Sequence, residues 1–463
     1  MPVLRHFLRT LGRRHRVPPL GQVLRTQGPG AVRWARRGYC AAQEADQPVK
    51  ATADSPAETA EADSEDAPAA DSEVDIPPEV LELFDTLRGE AMRRLDDFQP
   101  IHLFSLCWAY STARLLDEDM QRQVTRAALH LGRARDATTQ QEASATGAEL
   151  TEPGEPKNGL ETPYIVQETD DWMALYKPAH WQVSVDAKEA TKMASATPFE
   201  DDDEGDEEAA ERPRIQAWVH KHLSHRYPIC TDPTEAYGLL HRLDAQTSGV
   251  LICAKTYAGA YWLRLQWCQY AVDKEYICVV HGWVDRATRE IHKRIRVEKR
   301  KAPNSRRTVS THCTTGANGK PSFTELTTLA HLERPGSPEE RYSLVALKLH
   351  TGRTHQIRVH MQSIGHPLIT DAKYAEDRLE VDKSWCPRNF LHTYRLAFRD
   401  VPTTEDIEKR GYGEIRELVS PLPTDLRDTL ALLQPVDAAS RPHYEDWVSG
   451  DVGVLRSFES LQE

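Results

Sequence analysis

The sequence predicts an α+β protein in which a small all-α module precedes a larger domain of strands and helices. Two observations lead there. Between residues 76 and 136 the apolar residues recur at three- and four-residue spacing, the period of an amphipathic helix. From Tyr164 onward, short apolar and β-branched runs take over and alternate with helical stretches, without any repeat of 20–50 residues. Polar segments separate these parts, which gives a division into 1–43, 44–75, 76–136, 137–160, 161–432 and 433–463.

The first 43 residues contain no acid, and Arg5, Arg9, Arg13, Arg14, Arg16, Arg25, Arg33, Arg36 and Arg37 are spread among apolar residues. This is the pattern of an organelle transit peptide, since a secretory signal needs an uninterrupted apolar core. Arg37-Gly38-Tyr39-Cys40-Ala41 is similar to a mitochondrial processing site, so a mitochondrion is preferred over a plastid. A basic arm that stays attached is the other reading. Residues 44–75 are rich in Ala, Glu, Asp and Pro, too polar to bury a core, and read as a disordered linker.

The helical module starts at Pro77-Pro78, where proline suits the first turn of a helix. Val80, Leu81, Phe84, Leu87 and Met92 form its first face. A second face follows Phe98-Gln99-Pro100 and a third runs from Met120 to Leu131. Residues 137–160 then read as a linker. Tyr164-Ile165-Val166 and Trp172-Met173-Ala174-Leu175-Tyr176 read as strands, and the second ends at Lys177-Pro178. An acidic insertion at about 186–212 reads as a solvated loop. A helix at Ile215–Leu223 leads to Leu239-Leu240-His241-Arg242-Leu243-Asp244-Ala245-Gln246-Thr247-Ser248-Gly249, which runs into a buried strand at Val250–Ala254. Residues 433–463 read as a polar tail.

The net charge of −13 argues against a nucleic-acid partner only if it is evenly spread. It is not: acids collect around 44–75 and 200–208, while 286–307 carries ten Lys and Arg side chains. A local basic stripe acts on phosphates within about a Debye length, roughly 10 Å at 0.1 M salt. The stripe reads as a strand or hairpin laid on RNA, or as an ordinary solvated hairpin. The eight cysteines form no Cys-x-x-Cys pair and read as thiols of a reducing compartment. His220, His222 and His225 have no cysteine or carboxylate at ligand spacing, so no metal is expected. No apolar run reaches the roughly 20 residues that span a bilayer.

Asp244 and Arg242 at the mouth of a core strand form either a surface ion pair or part of a site. Three further stretches bear on this. Lys274-Glu275-Tyr276 opens a strand, and Gly319-Lys320-Pro321-Ser322 is a turn. Thr351-Gly352-Arg353-Thr354-His355-Gln356-Ile357-Arg358-Val359-His360 joins a strand to a helix, with Thr354 as its natural N-cap and Gly365 as its stop. Arg358 lies one position off the apolar stripe Ile357, Met361 and Ile364, so it can lean from a fixed helix toward a neighbouring site.

At these residues the chain resembles the RluA family of pseudouridine synthases, over about residues 164–430. His241-Arg242-Leu243-Asp244 with Thr247-Ser248-Gly249, Lys177-Pro178, Lys274-Glu275-Tyr276 and Thr351 to His360 match that family's motifs in order. The resemblance implies a mixed, largely antiparallel sheet flanked by helices and a cofactor-free isomerisation of uridine in structured RNA (rRNA, tRNA or mRNA). It implies Asp244 as the catalytic aspartate, Arg358 as its partner, Tyr276 as the ring that stacks on the target base, and Arg242 as the side chain that helps to displace the nucleotide. His241, Lys177, Thr247, Arg353, His355 and Lys320 are further candidates for substrate binding, and Lys320 is a phosphate contact or a structural turn residue.

The residues agree on chemistry. Moving uracil from an N-glycosidic to a C-glycosidic bond calls for a carboxylate acting at C1′ or the hydrogens beside it, so Asp244 is a nucleophile or a base. A glycoside hydrolase ordinarily uses two carboxylates, and one is found. Two departures stand out: His180 occupies a position where glycine is usual, and no S4-type domain is recognisable upstream. Phe98 to Tyr110 is similar instead to the helical-hairpin repeat of organellar RNA-processing proteins that carry RAP domains, present as about one and a half units. That module contacts RNA or a protein partner, or is a structural cap. A non-catalytic RNA-binding or assembly factor on the same fold is the alternative for the whole chain.

Overall fold

A computed structural model describes residues 78–144, 161–184, 212–301, 308–409 and 412–462. The expected transit peptide, the first linker, most of the second and nearly all of the acidic insertion lie outside the described residues. The chain divides into two units, residues 1–97 and 98–463. In the first, the expected start at proline is observed: α1 spans Pro78–Arg93, followed by a 3₁₀ turn at Leu95–Asp97.

The second unit opens with α2 (Pro100–Thr112) and α3 (Glu118–Ser144). Expectation and structure part in two ways here. The 76–136 segment is not one module, because α2 and α3 belong to the larger unit. Helix α3 also continues eight residues past 136, through a stretch whose Ala, Thr, Gln, Glu and Ser residues include no glycine or proline. Both helices rest on α5 (Tyr257–Cys268). Gly132 makes that approach: a Cβ there would stand 2.4 Å from the Ala258 Cα. Asp136 then accepts the backbone N–H groups of Tyr257 (2.7 Å) and Ala258 (3.1 Å), and so satisfies donors left open at the start of α5.

The strands are β1 (Tyr164–Glu168), β2 (Trp172–Lys177), β3 (Ser248–Ala254), β4 (Asp273–His281), β5 (Glu290–Ile291), β6 (Ile295–Lys301), β7 (Thr308–Thr315), β8 (Thr324–Arg334), β9 (Ser337–Leu349), β10 (Leu391–Arg399), β11 (Ile415–Val419) and β12 (Gln434–Pro435). Helix α4 (Ile215–Leu223) precedes β3; α6 (Gln356–Ser363) and α7 (Leu379–Lys383) lie between β9 and β10. Helices α8 (Thr404–Lys409), α9 (Thr424–Ala431), α10 (Ser440–Ser449) and α11 (Phe458–Gln462) complete the chain. Ten strands form one sheet in the order β1-β2-β3-β10-β4-β9-β8-β12, with β11 beside β10 and β5 beside β8. Among these pairs only β3 with β10 is parallel, so the sheet is mixed and largely antiparallel.

That one parallel contact depends on Gly249. Its φ of +132° is rarely open to side-chain-bearing residues, and a Cβ would stand 2.4 Å from the Thr393 carbonyl oxygen. The basic stripe does form a hairpin: β6 and β7 pair as a separate two-stranded sheet, with the intervening 302–307 outside the described residues.

Residues 433–463 are not a tail. β12 pairs with β8, and Trp447 of α10 and Phe458 of α11 are buried in the core with Leu332, Leu344, Phe390, Tyr394 and Leu430. The Phe458 N–H donates to the buried carboxylate of Glu275 (2.9 Å). The buried indole of Trp447 packs edge-on to Tyr394 at 5.0 Å. Trp447→Ala should therefore cost about 3–5 kcal/mol in urea unfolding; a change within about 0.5 kcal/mol, typical of a surface position, would show that the segment is a tail after all.

Candidate active site

The loop between the 3₁₀ turn at Pro233–Gly238 and β3 carries Asp244 and is held at successive residues. The Thr247 N–H donates to the Asp244 carbonyl (3.0 Å), which closes a turn. The Ala245 carbonyl accepts the Lys177 Nζ (2.9 Å) and the His180 N–H (2.7 Å). The Gln246 carbonyl accepts from Arg388 (2.9 Å), and its side-chain oxygen accepts the Asn389 N–H (3.0 Å). His180 has φ +66°, which explains why a glycine suits that position. The histidine keeps the loop conformation in spite of its side chain.

Opposite this loop, α6 begins not at a Thr354 cap but after His355, which has left-handed φ +52°. Gln356, the first residue of the helix, ties the incoming chain in place. Its oxygen accepts the Arg353 N–H (3.0 Å) and the Thr351 hydroxyl (2.7 Å), while its nitrogen donates to Phe323 and Thr324. The expected stop is present: α6 ends at Ser363, and Gly365 takes φ +86°.

Between the two lies a cleft of about 140 Å³, lined by Arg242, Asp244, Thr247, Tyr276, Arg353, His355 and Arg358 with Leu243, Leu349, Ile357 and Leu391. Against the roughly 300–1,000 Å³ of drug-sized sites, this admits one small planar ring. Tyr276 comes from β4, where it is paired with Leu347 of β9 and Thr393 of β10. Burial pushes its hydroxyl up to about 12, so the ring is neutral.

Arg358 ties the cleft together. Its Nη1 donates to Asp244 Oδ2 (3.3 Å), and its Nε and Nη2 donate side-on to the two oxygens of Asp371, both at 2.8 Å. The Asp371 side chain is fully buried and also accepts the Lys373 (3.0 Å) and Tyr374 (3.1 Å) N–H groups. Asp244 keeps 21% of its side chain exposed, against 6% for Arg358, so it is the member of the trio that a ligand can reach.

Burial pushes the Asp244 carboxyl up, but His355, Arg358 and Arg242 together pull it below the usual carboxylate range. His355 is itself pushed down to about 3, mainly by burial and then by Arg358. It is therefore neutral at pH 7, which leaves the two guanidiniums to hold Asp244 ionised there. The Tyr374 hydroxyl accepts the Cys313 N–H (3.0 Å) and lies 2.9 Å from His355 Nδ1.

Residues 171–363 match the model of the RNA pseudouridylate synthase family. Ribosomal large subunit pseudouridine synthase D of Neisseria meningitidis serogroup B is 31% identical over 207 residues, 42% of this chain and 48% of that protein. RNA pseudouridylate synthase domain-containing protein 1 of Mus musculus is 31% identical over 258 residues, 54% of this chain and 71% of the relative. The chain belongs to the RluA family of pseudouridine synthases. The solved structure of human RNA Pseudouridylate Synthase Domain Containing 1 aligns over 67% of the chain and 96% of its own length, at 24% identity and a TM-score of 0.38.

In this synthase seven of the ten expected site residues meet at the cleft, and three do not. Lys177 is fully buried, with Nζ on the Pro178 and Ala245 carbonyls, so it fixes the Asp244 loop and lies outside the cleft lining. His241 Nε2 accepts the Ile252 N–H (3.1 Å) and its ring stacks on Trp267 at 5.0 Å, away from the cleft. Its neighbour Arg242 does line the cleft. Lys320 exchanges backbone bonds with Ile295 (2.9 and 2.7 Å) at the base of the β6–β7 hairpin, outside the cleft lining. Several cations of the basic stripe are also engaged within the protein: Arg286 with Asp437, Lys293 with the Ser363 carbonyl, Arg294 with the Gly319 carbonyl and Arg296 with Glu298.

Asp371, the strongest partner of Arg358, was not among the expected residues. Its signal in the sequence is only an acid in a loop 13 residues after the arginine. Because the Asp244 and Asp371 carboxyls sit below their ordinary values in the fold, the stability they contribute is complete above about pH 4 and is lost as pH falls through their folded values. Arg358→Met inverts this by leaving one fully buried and one partly buried carboxylate without their shared cation. Denaturation should show a loss of about 3–5 kcal/mol at pH 7 that narrows as pH is lowered toward 4. A gap that stays constant with pH would contradict the shared-cation account.

Proposed function

We propose that the synthase isomerises a flipped-out uridine of a structured RNA in the Asp244 cleft. The observation that carries this is the convergence of a reachable, ionised carboxylate, a neutral tyrosine ring and a fixed guanidinium in a cleft sized for one base. The reaction breaks the C1′–N1 bond, turns the freed uracil, forms C1′–C5, and exchanges the proton on C5 for one on N1. Asp244 supplies the carboxylate that acts at C1′ or the hydrogens beside it. Arg358 keeps it ionised and aimed. Tyr276 offers a face for the ring, which offsets part of the few kcal/mol lost on leaving the stack. Arg242 stands exposed on the rim of the cleft, where a displaced nucleotide must pass.

The similarity to a ribosomal large subunit synthase supports rRNA as a substrate class to test alongside tRNA and mRNA. Pseudouridine mapping on total RNA incubated with purified enzyme should reveal new sites, and Asp244→Asn should slow their formation by about 10²–10⁴-fold or more. Wild-type modification by that variant contradicts the assignment.

The acid-free, arginine-rich first 43 residues support delivery to an organelle, the mitochondrion in preference to a plastid. Fused to a fluorescent protein, residues 1–43 should direct it to mitochondria; a diffuse signal would overturn the address.

A further inference from the structure

We propose that Asp371 is a positioning residue of the reaction: by taking two donor sites of Arg358 in a side-on grip, it leaves Asp244 with a single bond and the trio with one net negative charge. This rests on Asp244 being the reacting carboxylate. The geometry shows an unequal division. Asp371 holds Nε and Nη2 at 2.8 Å each, whereas Asp244 meets Nη1 once, at 3.3 Å. Side-on arginine pairing fixes the plane of the guanidinium as well as its place. With that edge occupied, Nη1 is the nitrogen turned to Asp244.

Asp371 is itself immobilised. Two backbone N–H groups, the Asn389 amide (3.4 Å) and full burial hold it, and the Arg358 guanidinium lies 5.1 Å from the centre of the Tyr374 ring. Both ends of the grip are thereby set by the fold, and Asp244 is the only exposed acid on it.

The division matters for reactivity. Were Arg358 paired with Asp244 alone, both carboxylate oxygens would be open to a bidentate clamp and the pair would be neutral. Such a carboxylate is a poorer nucleophile and a poorer base. With Asp371 present, one cation serves two anions, and Asp244 stays negative beside an anionic ligand. Three of the groups around it do little to cancel this: His355 is neutral, Tyr276 is neutral, and the buried Lys177 amine lies well below its ordinary value, first through desolvation and then through Arg388. Arg242 acts on Asp244 from the rim of the cleft and is the one further cation that offsets part of the trio's charge.

The consequence is an opposed effect on binding and chemistry. Asp371→Asn removes one negative charge from beneath the cleft and frees Arg358 to clamp Asp244. RNA should then bind about two- to fourfold tighter, the effect of one charge removed at roughly 5–10 Å in a watery dielectric. The single-turnover rate should fall on the order of 10²-fold. Asp371→Glu keeps the charge but displaces the grip by one methylene, so its rate should fall while RNA affinity stays at the wild-type value.

Single-turnover rates and RNA dissociation constants of the full chain, with the active fraction titrated, test this. A rate loss in Asp371→Asn accompanied by weaker binding, or no rate loss, overturns the proposal. Should that variant fail to fold, Asp371→Glu decides: a wild-type rate, or affinity changed with the rate, overturns it. Modification by Asp244→Asn overturns the underlying reading as well, whereas an inactive Asp244→Asn beside a fully active Asp371→Asn overturns only the role of Asp371.

Discussion

The guanidinium of Arg358, shared between a buried carboxylate and an accessible one, is the constraint around which the site is built. Three distant stretches meet in it: the loop ahead of β3, the first turn of α6 and the loop after it. None of the three could be placed alone. A buried arginine needs anions, a fully buried aspartate needs a cation, and Asp244 needs a partner that does not neutralise it. One side chain meets all three needs because its donors lie in a rigid plane.

The sheet brings these stretches together. The parallel contact of β3 with β10, permitted by Gly249, sets the mouth of β3 one strand away from β4, where Tyr276 sits across β10. Lys177 at the end of β2 and the Arg388–Asp425 pair then hold the loop between Ala245 and Ser248 from two sides. Behind the sheet edge, Arg135 of α3 donates to Glu235 (2.8 Å) and lies in an ion pair with Asp232, in the segment that leads into the loop. The helices ahead of the catalytic region are thus part of its framework, which accounts for a pair of helices too few to stand as an array.

Much of this was legible in the chain. The apolar run Val250–Ala254 read as a buried strand and is one. The resemblance to the family's motifs implies that Asp244, Tyr276 and Arg358 share a site, and they line one cleft although more than a hundred residues separate the first from the last. What was not legible has a common cause: residue type states what a side chain can do, not which way it faces. Lys177 and His241 are polar and sit inside motifs, yet one is buried under the loop and the other turns toward Trp267. Asp371 carries no spacing signal, because its partner lies on another element. In residues 433–463 the buried Trp447 and Phe458 lie on two separate short helices, too sparse a pattern to show a face. His355 adopts a conformation that Thr354, as a cap, would have made unnecessary.

The central claim is that the reacting sugar meets Asp244 between Tyr276 and Arg358. A crystal structure of the Asp244→Asn variant with a uridine-containing RNA tests it most directly. The account predicts a uridine outside the stack, its ring on Tyr276 and its C1′ within about 3.5 Å of the residue 244 side chain, with the Arg358–Asp371 grip intact. A uridine bound elsewhere, or a C1′ out of reach of residue 244, would contradict it.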